Sequence, residues 1–335
     1  MKSILITGAS GFIGSFLVEE ALRQGFGTWA GVRASSSRKY LQDPRLHFAE
    51  LDFASPDRLR GQLAAHREAH GGFDYIVHCA GVTKCADPKD FERVNYGQTR
   101  LLADTLRELD MVPRQFAFVS TLSVFGPIHE QDYRPIVETD TPRPNTAYGL
   151  SKLKAERYLQ GLEGFPYVIY RPTGVYGPRE KDYYLMAKSI RSHTDFAVGY
   201  RRQDLTFVYV KDIVQAVFLG IGKGVIRRAY FLSDGNVYPS RTFSDLIRRE
   251  LGNPFVVRLK CPLAVLKAVS AIAEAWARHR GTASTLNSDK YRIMKQRNWQ
   301  CDITPTVDEL GYCPAYDLER GVKETIAWYK KEGWL

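Results

Sequence analysis

Tyr148 and Lys152 lie four residues apart in Tyr148-Gly149-Leu150-Ser151-Lys152. On a helix that spacing puts a phenol and an ammonium on one face, a turn apart. A phenol that titrates near ~10 is a weak acid or base at neutral pH. A neighbouring lysine cation stabilises the phenolate and lowers that value toward the working range. The pair is a candidate for moving a proton to or from a substrate oxygen. The same spacing also occurs on solvated helix faces, so its weight depends on what else the chain builds around it.

Upstream, Thr7-Gly8-Ala9-Ser10-Gly11-Phe12-Ile13-Gly14 joins a strand-like Ser3–Ile6 to an amphipathic segment. Gly8 permits a tight turn, Gly11 lets backbone approach a pyrophosphate, and Gly14 allows close helix–strand packing. With Ser10, Phe12 and Ile13 at the helix start, free N–H groups and the positive dipole end face the phosphates. A preceding strand and a following helix are the context this motif requires.

An acid at the end of the second strand binds the ribose hydroxyls of NAD. Here Gly31-Val32-Arg33-Ala34-Ser35-Ser36-Ser37-Arg38-Lys39 has none. Arg33, Arg38 or Lys39, helped by the Ser35 hydroxyl, would welcome a 2′-phosphate, so NADP is expected over NAD. After the third strand, Asp52 is placed to accept from an adenine amino group and Phe53 to flank the ring, although Asp is also a common turn residue. His78-Cys79-Ala80-Gly81 ends the fourth strand. The small Cys79, Ala80 and Gly81 leave room for the cofactor, while His78 reads as a buried, satisfied side chain.

The elements that must position these groups alternate regularly. Strands are expected at Ile4–Thr7, Thr28–Val32, Leu46–Glu50, Tyr75–Cys79, Phe116–Ser120 and Tyr167–Tyr170. Helices are expected at Phe12–Gln24, Pro56–His70, Pro88–Leu109 and Ala147–Gln160. Short apolar runs between amphipathic segments argue βαβ units, hence an α/β fold with a Rossmann-type, doubly wound parallel sheet. After about Gly177 the alternation fades, although Phe207–Val210 is strand-like and Asp212–Leu219 helical. Residues 1–177 are therefore expected to form the cofactor domain and 178–335 mainly a smaller substrate-binding lobe, with later strands returning to the sheet.

The 335 residues are 44% hydrophobic, enough for a full core. A net charge of +10 suits anionic partners such as a phosphorylated cofactor or an acidic membrane surface. There is no nucleic-acid module and no long basic run. Cys79, Cys85, Cys261, Cys301 and Cys313 form no C-x-x-C pair, so neither a disulfide framework nor a metal site is expected, and a reducing, cytoplasmic setting is. The first residues run straight into a strand, unlike a signal peptide. The apolar stretch Pro262–Trp276 is interrupted by Lys267 and Glu274, so it does not read as a bilayer span. It reads as a core helix or a pocket wall, with an interfacial membrane helix as the rarer case. Arg278, His279 and Arg280 after it either meet anionic lipid or cap the helix.

Taken together these motifs resemble the extended short-chain dehydrogenase/reductase superfamily, the NAD-dependent epimerase/dehydratase group. The resemblance spans essentially the whole chain. Thr7–Gly14 matches its T-G-x-x-G-F-I-G start, His78–Gly81 its N/H-x-A-G segment, and Asn95 its structural asparagine. Ser120–Gly126 resembles S-[ST]-x-x-V-[YF]-G, Tyr148 and Lys152 fit Y-x-x-x-K, Arg171–Pro178 resembles R-P-x-x-V-Y-G-P, and Phe207–Asp212 a later F-x-x-V-x-D.

The resemblance implies roles. Tyr148 is the proton donor or acceptor, and Lys152 lowers its pKa and holds the nicotinamide ribose. Thr121 is the catalytic hydroxyl, with Ser123 a nearby alternative. Pro172 and Val175 line the nicotinamide pocket. Thr83, Ser123, Tyr183 and Arg201 fall at substrate-facing places. Family dehydratases carry Asp-Glu where this chain has Leu122 and Ser123, which argues against dehydration. The Gly-Val-Arg loop is similar to the dihydroflavonol-reductase and hydroxysteroid-dehydrogenase branches. Reduction of a carbonyl on a small, apolar molecule is the preferred expectation. An NDP-sugar epimerase with tightly bound NAD is the alternative, and a non-catalytic NADP-binding regulator the third. A homodimer through Pro88–Leu109 and Ala147–Gln160 is also implied.

Overall fold

The chain opens with β1 (Ser3–Thr7), α1 (Phe12–Arg23), β2 (Gly27–Val32), β3 (His47–Glu50), α2 (Pro56–His70) and β4 (Tyr75–His78). In this computed structural model residues 1–335 are described except Gly281, Ala283, Thr285 and the side chain of Arg278. The helix expected over Pro88–Leu109 forms in three parts: α3 (Lys89–Phe91), a π-helical turn (Glu92–Gly97) and α4 (Gln98–Glu108). Then come β5 (Gln115–Val119), a 3-10 turn (Leu122–Val124), α5 (Ala147–Gly161), β6 (Tyr167–Pro172) and β7 (Gly174–Tyr176). Next are α6 (Asp182–Arg191), β8 (Thr194–Val198), β9 (Asp204–Leu205), β10 (Phe207–Tyr209), α7 (Val210–Lys223), β11 (Arg228–Leu232) and β12 (Tyr238–Pro239). The chain ends through α8 (Thr242–Glu250), β13 (Val257–Cys261), α9 (Leu263–His279), α10 (Ser288–Lys295), α11 (Thr304–Leu310) and α12 (Leu318–Lys331).

Seven strands make one parallel sheet in the order β11-β6-β5-β4-β1-β2-β3. Both faces are covered, which is why its strands are near-continuous apolar runs. In β1, Ile4 and Ile6 pack with Phe16, Leu17 and Val18 of α1 and Ile213 and Val217 of α7. Leu5 faces the opposite layer, with Leu59 and Leu63 of α2, Leu102 and Leu106 of α4 and Leu159 of α5. A one-residue slip would exchange these faces, so burial sets the register. Each fully buried aliphatic side chain contributes roughly 1.5–3 kcal/mol by leaving water. Strand order reverses between β1 and β4, and a crevice opens there at the strand carboxyl ends.

Beyond β7 the chain builds three two-stranded ladders, β7 with β10, β9 with β12 and β8 with β13, while β11 joins the main sheet beside β6. Tyr176, Phe207, Tyr209, Phe243 and Tyr329 form an aromatic core joining α6, α8 and α12 to β7 and β10.

Of the readings open for the apolar Pro262–Trp276 stretch, the core helix is the one the structure does not bear out. On α9, Leu266, Ser270 and Ala277 turn inward, but Val265, Val269, Ile272 and Trp276 are exposed. It is not a core helix, because its apolar residues encircle it and only one stripe finds a neighbour. Arg278's side chain lies outside the described residues, and the Arg280 guanidinium lies 3.7 Å from the Trp276 ring centroid. Among the described residues no helix is long and apolar enough to cross a membrane. All five cysteines are free thiols.

Candidate active site

Thr146 caps α5 by accepting the Gly149 N–H at 3.0 Å, which puts Tyr148 in the first turn and Lys152 one turn later. Gly149 is needed for close approach, since an added Cβ would stand 2.5 Å from the Ser123 carbonyl oxygen. That contact presses α5 onto the 3-10 turn and brings Thr121 to Tyr148. Thr121 accepts the Ser123 N–H at 3.1 Å, and its hydroxyl lies near enough to the Tyr148 phenol to pull its pKa down. Phe91 meets the Tyr148 ring edge-on at 6.0 Å, and Asp289 of α10 accepts the Tyr148 N–H at 3.2 Å.

Lys152 is buried, donates to the Val119 carbonyl at 2.8 Å and lies 4.6 Å from the Phe118 ring centroid. Burial lowers its ammonium to about 8. Burial also pushes the Tyr148 phenol up to about 12, against a downward pull from the Thr121 hydroxyl. This corrects the expectation that Lys152 depresses the phenol. The ammonium is directed at the end of β5, and loss of water outweighs any help it gives. A neutral phenol at physiological pH is equipped to give a proton rather than to take one.

Beneath the pair runs a network in which Glu156 was not anticipated. Glu156 is wholly buried one turn after Lys152, pairs with Arg171 at 2.7 Å and accepts the Ser120 hydroxyl. Its signal was available, because it follows Lys152 by four residues and Arg171 needs a buried counter-charge.

Asn95 sits in the π-turn. Its Oδ1 accepts the Val82 N–H at 2.8 Å, and its Nδ2 donates to the Val82 carbonyl at 3.0 Å and to Ser151 Oγ at 3.0 Å. Ser151 in turn donates to the Tyr148 carbonyl at 2.7 Å. The π-turn thus bolts the loop after β4 to α5, a use common for such turns near functional sites.

His78 is fully buried between two hydroxyls, with Thr7 Oγ1 2.7 Å from Nδ1 and Thr99 Oγ1 3.0 Å from Nε2. Thr99 donates to the Asn95 carbonyl, and Thr7 accepts the Ala80 N–H, so the satisfied arrangement has the imidazole proton on Nε2. Burial, aided by the Lys152 charge, pushes His78 down to about 3. It is a neutral packing group, as read from the sequence.

The glycine turn lies against this cluster. Gly14 cannot carry a side chain, because its Cβ would stand 2.1 Å from the Gly8 carbonyl oxygen. Gly8 abuts Ala80, and the Cys79 thiol, pushed up to about 11 by burial, lies near Lys152 and Gly14. Gly11 precedes α1 without a side-chain cap, and no acid occupies the first turn, where Phe12 and Ile13 stand. Ser10 in the same turn is half-buried. The donor set fits a dinucleotide. There are free helix N–H groups for phosphate and small residues in the crevice, with a Gly81 Cβ only 3.3 Å from Lys152 Nζ.

The remaining expected cofactor residues are more scattered. Arg33 and Ser35 are exposed after β2, and the Arg33 N–H donates to Ser36 Oγ. The Arg38 guanidinium lies over Phe48 at 4.3 Å. Asp52 accepts the Ala54 N–H and pairs with Arg58 at 3.2 Å, while Phe53 lies 6.3 Å from the His78 ring. Pro172 is buried at the end of β6, and Val175 packs against the sheet core. Between them Thr173 carries a buried hydroxyl with no protein partner among the described residues.

The expected substrate residues divide. Ser123 adjoins Thr121. Thr83 is exposed, and its neighbour Lys84 pairs with Asp182 beside Tyr183; Asp182 also binds Lys290 of α10 at 3.1 Å. Tyr183 is half-buried and stacked on Phe243 at 4.4 Å against the aromatic core. Arg201 is exposed and has no ion pair among the described residues. Behind Tyr148 a cavity of about 230 Å³ is lined by Phe91, Ala147, Glu274, Ala277, Asp289 and Arg292, among others.

Comparison with known proteins adds a lineage to this geometry. The model of the NAD dependent epimerase/dehydratase family matches residues 4–231. A Bacillus subtilis (strain 168) protein described as an uncharacterized UDP-glucose epimerase is 27% identical over 97% of this chain and 97% of its own length. The ceramide reductase of Caulobacter vibrioides is 23% identical over 99% of this chain and 96% of its own. The structure of UDP-glucuronic acid 4-epimerase from Bacillus cereus in complex with NAD aligns with a TM-score of 0.74 at 20% identity, covering 99% of both chains, a likeness of fold. Further relatives are described as a "Putative UDP-glucose 4-epimerase" and a dTDP-glucose 4,6-dehydratase. These descriptions favour the epimerase alternative over carbonyl reduction, and they do not establish the narrower resemblance to the dihydroflavonol-reductase branch.

Proposed function

Because the chain belongs to the NAD dependent epimerase/dehydratase family, we propose that Thr121, Tyr148 and Lys152 form the proton-handling end of a hydride-transfer enzyme. The convergence of the Tyr148 phenol and the Thr121 hydroxyl at the carboxyl edge of the sheet carries this reading. A bound nicotinamide dinucleotide supplies the hydride donor or acceptor. Tyr148 gives its proton to the carbonyl oxygen and recovers one in the reverse direction. Thr121 orients that oxygen, and Lys152 offers its free N–H bonds to the nicotinamide ribose.

In this reading the other residues would hold the cofactor. The turn at Gly8, Ser10, Gly11, Phe12, Ile13 and Gly14 cradles the pyrophosphate. Arg33, Ser35 and Arg38 receive a 2′-phosphate, and Asp52 and Phe53 the adenine. Cys79, Ala80, Gly81, Pro172 and Val175 flank the nicotinamide. The division near Gly177 separates this cofactor side from the substrate side.

We read the net reaction as NADPH-dependent reduction of a carbonyl on an uncharged, apolar substrate. Two features support it. In the cavity beside Tyr148 the Arg292 guanidinium is paired with Asp289 and donates to the Asn145 carbonyl, so it is not free to hold a pyrophosphate. The β2 loop also lacks the acid that selects NAD. Buried Leu122 offers no acid for a dehydratase. The second reading, a UDP-sugar epimerase that retains NAD, is favoured by the relatives' descriptions.

One assay separates the two. The protein is supplied with NADPH or NADH and with long-chain ketones, aldehydes or nucleotide sugars. Loss of reduced cofactor one-for-one with alcohol supports the reductase. Interconversion of a nucleotide sugar with no net cofactor change supports the epimerase and removes the reductase.

A further inference from the structure

The outer face of α9 is apolar over its whole length. Ile272 is 70% exposed and Trp276 59%, and Val265 and Val269 continue the stripe at four-, three- and four-residue steps. Soluble proteins seldom leave so continuous a stripe uncovered. The stripe extends onto the ladder preceding it. Leu259 of β13 pairs with Phe196 of β8 in parallel register, so both stand on one face, and both are exposed. Gly199, after β8, lies against Leu263 at the start of α9, which joins the two apolar surfaces.

Among the described residues, α9 and the strand before it contribute unpaired cations to this face. Lys260, Lys267 and Arg280 make no ion pair among the described residues, and Lys260 leans over the exposed Tyr200 ring. The only acid in α9, Glu274, lines the cavity and accepts from Ser288 instead. The Arg280 guanidinium stacked on the Trp276 indole is a pair suited to the headgroup level, with an apolar body and a charged tip. An isologous dimer through this face would bring the two basic rims together, which like charges oppose. The helix does not span a bilayer, so the fitting arrangement lies in the plane of the interface.

We propose that this face docks on an anionic phospholipid bilayer, with α9 parallel to the surface, its Val265–Trp276 stripe among the acyl chains and Lys260, Lys267 and Arg280 among the headgroups. The opposite face of the same helix, through Ala277 and Glu274, walls the cavity behind Tyr148, so docking sets that cavity beside the membrane. The surface stands whichever way the reaction ends, since it shares no residue with Thr121, Tyr148 or Lys152.

The test is flotation of the full chain with vesicles of phosphatidylcholine alone or mixed with phosphatidylglycerol. The protein should float with the mixed vesicles and bind pure phosphatidylcholine about a hundredfold less, because each of the three cations near an anionic surface adds about 1 kcal/mol. Ile272→Glu with Trp276→Glu should abolish flotation while NADPH binding and the melting temperature stay unchanged. Lys260→Glu with Lys267→Glu should lower mixed-vesicle binding about tenfold or more and leave the weak neutral-vesicle binding in place. Absence of flotation with mixed vesicles, or equal flotation of the native chain and the first double variant, overturns the proposal. A dimer that this variant dissociates, without vesicle binding, overturns it too and assigns the face to a second copy.

Discussion

At the carboxyl edge of the main sheet, His78, Asn95, Glu156 and Arg171 are buried and hydrogen-bonded to other protein groups. On the outer side of α9, Val265, Val269, Ile272 and Trp276 stay exposed, with no apolar layer packed over them among the described residues. In the first region polar groups have been taken out of water and provided with partners; in the second, apolar groups have been left in it. Unpaired buried polar groups and uncovered apolar stripes both cost free energy. The sheet edge avoids that cost internally, and its geometry is set before any ligand arrives. The α9 face has no internal remedy, so what it is for must come from outside the chain.

The contrast is sharpest at Tyr148. Tyr148→Phe keeps the packing and removes the proton, so turnover should fall by about 10³-fold with cofactor affinity unchanged, read by steady-state rates beside NADPH fluorescence titration. Retained turnover would remove Tyr148 from the chemistry. Next comes the pair below it. Glu156→Gln leaves the Arg171 charge buried without its counter-ion and should cost about 3 kcal/mol, seen as a lower urea midpoint. An unchanged midpoint would mean the network is dispensable.

Two buried groups should give stability profiles of opposite sign. His78 is depressed to about 3 when folded, so the stability it protects is complete above the usual histidine range and is lost as pH falls from about 6.5 toward 3. Asp212 accepts the Ala315 and Tyr316 N–H groups, yet burial raises it to about 6. Its contribution is fully present below about 4 and is lost as pH rises through 6, an effect of about 1–3 kcal/mol. Asp212→Asn should flatten that second slope in chemical denaturation across pH 4–7; the same slope in the variant would assign it elsewhere. The smallest effect belongs to α9. Ile272→Ala should change stability by under about 0.5 kcal/mol, whereas Ile6→Ala in β1 should cost about 3 kcal/mol. Equal losses would show that α9 is covered after all.

The first half of the fold was legible because parallel strands buried on both faces leave short apolar runs, and β1, β2, α1, α2 and α5 formed within two residues of expectation. The turn at Gly8–Gly14 and the Tyr148–Lys152 step were equally plain, since each depends on local spacing. Three things were not. The charge balance at Tyr148 depends on where Lys152 points and how much water is lost, and neither is local. Glu156 carried a spacing signal four residues after Lys152, but its pairing became visible only when β6 brought Arg171 across to α5. For α9 periodicity placed the helix but could not say which stripe would find a neighbour, because residues all round it are apolar.

The π-turn at Glu92–Gly97 has a consequence for the whole of the helix after it. It holds one residue more than an α-helix would over the same rise. Each residue advances an α-helix by about 100°, so deleting one here would rotate α4 against α3 by that amount. Either Leu102 and Leu106 would leave the sheet or Asn95 would swing away from Val82 and Ser151. The turn acts as a phase shifter between two helical faces with different masters, one set by the core and the other by the site. A one-residue length change at this point would be felt at both ends of the helix, and the same change in the exposed loop at 33–39 would be felt at neither.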